Sequence, residues 1–145
     1  MPEKKKTEFI TEDIKEALKE AFRELRDVVN IEVFTKDGMN DMFNELAVTL
    51  TRTMSEISDK VKATFHSIGD EQSRKRNVHR SPSILIEPER YNIRYTGSPA
   101  GEEGRSFVMA IIMASTGKTL LTDDSKKRLN RLKDKRHVRV FVSPT

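Results

Sequence analysis

The stretch Ser81-Pro82-Ser83-Ile84-Leu85-Ile86-Glu87-Pro88-Glu89-Arg90-Tyr91-Asn92-Ile93-Arg94-Tyr95-Thr96-Gly97-Ser98-Pro99-Ala100-Gly101 decides how this 145-residue chain is read. Ser83 to Glu87 and Tyr91 to Thr96 are rich in β-branched, aliphatic and aromatic residues. The Pro-Glu-Arg between them is turn chemistry, so the pair predicts an antiparallel hairpin. Pro82 has no N–H to give to a ladder and belongs at a strand start or an edge. Its bond to Ser81 would be trans on the general preference of X-Pro bonds. Downstream, Ala100 to Thr116 places Phe107, Val108, Ile111, Ile112 and Ser115 at helical spacing, with Gly117 as the stop.

Upstream, Ile14, Leu18, Ala21, Phe22 and Leu25 recur at three- and four-residue spacing behind Thr11, an N-cap residue followed by the acidic pair Glu12-Asp13. Asn30 to Thr35 then alternates as a strand. Lys36 to Asn40 is a loop, and Asp41 to Ile57 returns to helical spacing through Met42, Phe43, Leu46, Leu50, Met54 and Ile57. Ser58-Asp59-Lys60 breaks that helix before a second strand, Val61 to His66. Two strands joined by a long helical connection are expected to be parallel. Gly69 to Val78 is polar and basic and reads as a loop with a brief helix. The methionines at 39, 42, 54, 109 and 113 read first as core fillers.

The chain partly repeats itself. Leu25 to Phe34 and Leu132 to Phe141 align without a gap at a constant offset of 132 − 25 = 107, matching Leu, Asp and Phe and the apolar strand positions. Thr122-Asp123-Asp124 echoes Thr11-Glu12-Asp13. The expected domains are therefore residues 1–117 as one complete unit and 118–145 as a linker with the first helix and strand of a second. Val138, Val140 and Val142 of that strand share one face, and such an edge either lies against its own domain or pairs with a second copy as a dimer. Removing Thr122 to Thr145 is expected to leave the first unit folded.

Composition narrows the chemistry. The chain has no cysteine, which excludes disulfides, zinc-thiolate sites and thiol catalysis for it as given. Its 27 basic and 23 acidic residues give a net charge of +4, modest for a chain that is 34% charged, and read as a solvated surface. No apolar run reaches the length of a membrane helix, so a soluble, cytoplasmic protein is expected. The basic runs Ser73 to Arg80 and Lys126 to Arg139 contain no aromatic residue for base stacking, which disfavours nucleic-acid binding. His66, His79 and His137 lie far apart without further ligands at metal spacing, and read as solvated or strand-surface groups.

The order α-β-α-β-(α)-β-β-α, the Val33-Phe34-Thr35 strand end, the break Ile57 to Lys60 and the Tyr95 to Glu103 segment resemble the first of two tandem thioredoxin-fold units. Archaeal-type protein disulfide oxidoreductases, also called glutaredoxin-like proteins, are built this way. The same features resemble the N-terminal domain of the flavoprotein subunit of alkyl hydroperoxide reductase. The resemblance implies an α/β thioredoxin-like fold, a central four-stranded mixed sheet flanked by helices, plus the start of a second such unit. It also implies a cis Ser81-Pro82 bond facing the active-site position. In both families the second unit carries a Cys-Xaa-Xaa-Cys immediately after a segment like Val138 to Thr145, so the chain looks like a piece of a longer oxidoreductase.

In the disulfide oxidoreductases the first unit keeps its own Cys-Xaa-Xaa-Cys in the loop after the first strand. Here that region is Lys36 to Phe43, without a thiol, so Asp37, Gly38, Asn40 and Asp41 mark a degenerate active-site region. Exchange needs a thiolate at the helix N-terminus, and Ser and Thr lack its acidity and its reversible sulfur chemistry. Asp37 and Asp41 read as capping or dipole-compensating groups. The expected role is a non-catalytic module that packs against and docks a neighbouring thioredoxin-like unit or redox partner protein, with no catalytic residue, metal or cofactor in this chain. FAD and NAD(P)H would belong to a following domain. The alternative is a stand-alone adaptor that holds extended peptide in the groove beside Ser81 and Pro82.

Overall fold

The structure, a computed structural model, describes residues 9–99 and 101–143. Thr11 caps the first helix, α1 (Glu12–Phe22), accepting the Ile14 N–H at 3.4 Å. β1 (Val29–Thr35), α2 (Asp41–Ile57), β2 (Val61–Ser67), α3 (Glu71–Arg76), β3 (Ser83–Ile86), β4 (Ile93–Thr96) and α4 (Glu102–Thr116) follow, and α5 (Asp123–Leu129) lies beyond them. The four strands form one mixed sheet in the order β2-β1-β3-β4. β1 and β2 are parallel, Val33 opposite Phe65, while β1–β3 and β3–β4 are antiparallel, Val33 opposite Ile84 and Ile84 opposite Tyr95.

The pleat sends Val29, Ile31, Val33, Val61, Ile84 and Ile86 to one face, where Leu18 and Phe22 of α1, Ala47 and Met54 of α2, and Phe107, Ile111 and Ile112 of α4 cover them. Burial of this face supplies most of the driving force for folding. The opposite face is thinly covered: Phe34, Leu85 and Val78 form a small cluster beneath α3, flanked by Ile68. Phe34 also stacks on His66 at 5.1 Å between ring centroids, so His66 is a packed strand-face residue.

Several expectations shift at this level. The buried line of α2 is Asn44, Ala47, Thr51 and Met54, whereas Met42 and Phe43 are exposed and Leu46 and Leu50 are only partly covered. Small residues let the helix approach the sheet closely, so the apolar periodicity pointed about one residue off the true contact line. Met39, Met42 and Met109 are likewise exposed rather than core. Ile14 is exposed too, and Ile10, ahead of α1, is buried. β4 begins at Ile93 rather than Tyr91, because Glu87 adopts a left-handed conformation (φ 43°) and its carbonyl accepts the Arg90 and Tyr91 N–H groups, spending two residues on the turn. Ala100, read as the start of α4, and Pro144 and Thr145 of the tail lie outside the described residues.

α5 forms as expected, capped by Thr122. His137 to Val142, expected as a strand, carries no strand structure here, and Val138, Val140 and Phe141 stand 82%, 79% and 87% exposed. A strand needs a ladder partner, and the described residues offer this segment none. The named core residues all lie between Ile10 and Ser115, and none is contributed by the tail.

One buried hydroxyl fastens α4 to the turn before β1. Ser115 Oγ accepts the N–H groups of Arg26 (2.9 Å) and Asp27 (3.0 Å) and donates to the Asp27 carbonyl (2.6 Å). Ser115→Ala is expected to lower stability by about 2 kcal/mol, since two donors and an acceptor lose their partner in a part-buried setting. Urea unfolding measures this, and an unchanged midpoint would contradict it.

α3 is held by titrating groups, which gives it an acid sensitivity. Asp70 is held below its ordinary value of about 3.8, chiefly because its carboxylate accepts the Ser73 backbone N–H at 2.7 Å, with the Ser67 N–H and nearby His66 adding to the effect against the opposing influence of burial. Glu89 is held down first by its hydrogen bond from Arg76, then by the charges of Arg76 and Lys75. Both carboxyls bind protons less readily folded than unfolded, so their contribution is complete above the ordinary carboxylate range and is lost as pH falls through the lowered values. Protection of the Val78 amide, bonded to the Ser73 carbonyl, should stay level from neutral pH down to about 5 and fall below about 4. Protection that rose on acidification would overturn this.

Candidate functional site

The carboxyl end of β1, the loop at Lys36 to Asn40, the N-terminus of α2 and the Ser81-Pro82 segment meet at one end of the sheet. Ser81-Pro82 is a cis peptide, as the resemblance implied. The loop is stitched to it by side chains. Asn40, the residue before α2, takes a left-handed conformation (φ 57°) and donates its amide to the Ser81 carbonyl at 2.9 Å, making no cap bond to its own helix. Asn44, one turn into α2 and 7% exposed, donates to the carbonyls of Lys36 (3.1 Å) and Met39 (2.8 Å). Its Oδ1 accepts the Ser81 hydroxyl at 2.8 Å, and Ser81 Oγ in turn accepts the Lys36 N–H at 2.7 Å. Every member of this network is satisfied, which in a low-dielectric setting makes it rigid.

Of the sequence-marked residues, Asn40, Ser81 and Pro82 are brought together here. Asp41 reaches back to accept the Gly38 N–H at 2.8 Å, and Gly38 sits at φ 79°, so these two shape the turn without facing the cleft. Asp37 is exposed in the same turn. The Ser81 carbonyl already accepts the Asn40 amide, so one of its lone pairs serves the loop. Asn44 was missed: a lone polar residue was passed over within a helix read for its apolar periodicity, and a buried amide so placed signals a network.

In front of the proline lies an open groove of about 440 Å³. Met39 and Phe43 line it from the α2 side, Tyr95 to Pro99 from the end of β4, and Glu103 from α4, with His79 and Arg80 on the approach to Ser81. Tyr95 is braced edge-on against Phe107 at 5.0 Å, which anchors that wall to the core. Met39, Met42 and Phe43, exposed at 42%, 61% and 42%, continue the apolar surface out of the groove. Ser98 Oγ, buried in the groove wall, has no hydrogen-bond partner among the described residues. Val142 of the tail also touches the groove.

Chemically the arrangement can bind apolar or extended protein segments. No thiol is present in the chain, and the described residues hold no cluster of three or more His, Cys, Asp or Glu side chains able to bind a metal. The basic run before the proline is partly spent internally: the Arg76 guanidinium pairs with Glu32 and Glu89, and Arg94 donates to the carbonyls of Arg76 and Asn77. No helix among the described residues is long and apolar enough to cross a membrane.

No protein-family model matches the chain, and no curated protein matches it. Solved structures do. A protein disulfide oxidoreductase from Aeropyrum pernix superposes with a TM-score of 0.74 at 26% identity, covering 85% of this chain and 55% of that one. The alkylhydroperoxide reductase AhpF of Enterococcus faecalis superposes with a TM-score of 0.70 at 19% identity, covering 86% of this chain and 61% of that one. A structure of the NTD_N/C domain of the same enzyme gives 0.69 at 19% identity, over 83% and 59%. The chain thus spans little more than half the length of each of these three structures. With its mixed four-stranded sheet and its cis-proline beside a helix N-terminus, it is a cysteine-free thioredoxin-fold protein, similar to protein disulfide oxidoreductases and to the N-terminal domain of alkylhydroperoxide reductase AhpF.

Proposed function

We propose that this chain is a non-catalytic module of a thiol–disulfide redox protein, docking a neighbouring thioredoxin-like unit or redox partner protein at the groove beside Pro82. The observation that carries the reading is the satisfied Asn40–Ser81–Asn44 network, which stands where exchange chemistry would need a thiolate, behind an apolar groove left open to a partner. Rigid walls and exposed Met and Phe side chains favour protein contact, since thioethers adapt to irregular surfaces and aromatic anchors carry much of an interface's energy.

Calorimetric titration with a separately produced thioredoxin-like protein bearing a reduced Cys-Xaa-Xaa-Cys tests this. Measurable binding is expected, and Phe43→Asp, at an exposed position, should weaken it about tenfold. Insulin reduction by the chain itself should not exceed the buffer rate. Absence of binding, an indifferent Phe43→Asp variant or insulin turnover would each overturn the reading.

A further inference from the structure

The groove already has a visitor from within the chain. Val142 lies among its lining residues, close to the wall formed by Met39, Phe43, Pro82 and Tyr95. Within the segment Val138 to Val142 it is the least exposed apolar side chain, at 64% against 79% to 87% for Val138, Val140 and Phe141. We propose that the segment Val138 to Val142 is an internal occupant of the groove beside Pro82, a displaceable pseudo-ligand that competes with any partner docking there. The inference rests on the docking reading above and adds its regulation.

Three observations favour this occupant. The segment forms neither helix nor strand, and its valines alternate in sequence at 138, 140 and 142, so they share one face when the chain extends along a groove at a sheet end. Its overall charge suits the return: residues 118–143 hold nine Lys and Arg against three Asp, while the other residues hold 18 basic and 20 acidic side chains, and the groove itself is balanced, with both Glu103 and Arg80 in its lining. That attraction is exposed and screened by salt, so it steers more than it binds. Finally, tethering raises the effective concentration of Val142 at the groove to roughly the millimolar range, so even a single shallow side chain competes with a dilute partner. The same shallowness lets a partner displace it.

The test uses the full chain, its Val142→Asp variant and a labelled peptide of the tail sequence from His137 to Ser143, followed by fluorescence anisotropy. Val142 is largely exposed, so the variant should fold, and a charged residue there should leave the groove. The peptide is expected to bind Val142→Asp about three- to tenfold more tightly than the unmodified chain, because apparent affinity falls with the fraction of chains whose groove is free. Phe43→Asp introduced beside Val142→Asp should abolish that gain. Equal affinity for the unmodified chain and Val142→Asp would show that the tail is not the occupant, with the docking reading intact. Binding to neither would remove the tail proposal, while the thioredoxin titration judges the docking reading separately.

Discussion

Asn44→Ala should destabilise the protein by about 2 to 3 kcal/mol, because one deletion removes two donors and the acceptor of a buried hydroxyl at once. The Met39 carbonyl loses its side-chain donor, the Lys36 carbonyl keeps only the Met39 N–H at 3.2 Å, and the Ser81 hydroxyl, on a residue 4% exposed, loses its acceptor. Ala at this position keeps helix propensity, so the loss reports the network rather than α2 itself. Asn44→Asp separates the two roles of the amide. Its carboxylate still accepts from Ser81 but faces two carbonyls it cannot donate to, so at neutral pH it should be worse than Ala, and should recover as acidification supplies the missing proton. Urea unfolding at two pH values measures both variants. A loss below about 0.5 kcal/mol for Ala, the scatter of surface substitutions, would mean that the network does not hold the loop to the proline.

Arg76→Met should cost a comparable amount, about 2 to 3 kcal/mol, less than the full penalty for breaking a buried pair because both partners keep a trace of solvent. Arg76 holds Glu32 bidentately, Nε to Oε2 and Nη2 to Oε1, both at 2.9 Å, and also bonds Glu89. The two side chains of the main pair are 11% and 12% exposed. Hydrogen bonds donated to the carboxylates of Glu32 and Glu89 push the guanidinium further toward its charged form, against the opposing influence of burial. With Arg76 gone, Glu32 keeps only Gln72 Nε2 at 2.9 Å, a neutral donor for a charge on the sheet face. Adding Glu32→Leu should restore most of the loss, since an apolar pair of similar volume spares the desolvation of two charges. If the double variant were less stable than Arg76→Met, the ion pair would be contributing net stability and this account of α3 would be wrong.

Much of the fold could be read because its elements obey simple periods. Val61 to His66 and Asn30 to Thr35 alternate, the connection between them is long enough to force parallel pairing, and Pro82 marks where a strand starts. The cis bond was different: residue chemistry alone favoured trans, and only the order of elements around it argued otherwise. The inner face of α2 was misjudged because Asn44, Ala47 and Thr51 carry it, and hydrophobicity is blind to close packing by small and hydrogen-bonded residues. Thr51 Oγ1 satisfies itself on the Ala47 carbonyl at 2.8 Å, which is how a hydroxyl hides on a buried helix face. Of the site, the proline and the thiol-free loop were visible, but Phe43 and Tyr95 as walls of one groove depend on the sheet order that brings the start of α2 and the end of β4 to the same end of the molecule, which no local pattern encodes. The tail failed for a related reason, since β propensity in Val138 to Val142 expresses itself only where a ladder partner exists.

The central claim, a protein-docking groove on a thiol-free thioredoxin fold, is tested most directly by mapping contacts. Backbone amide resonances of the chain should be followed by NMR while the reduced thioredoxin-like protein is added. The account predicts shifts at Met39 to Asn44, Ser81, Ser83 and Tyr95 to Ser98, with Val142 moving as the tail gives way. Shifts confined to the exposed sheet face around Thr64 and Arg94, with the groove amides unmoved, would contradict it.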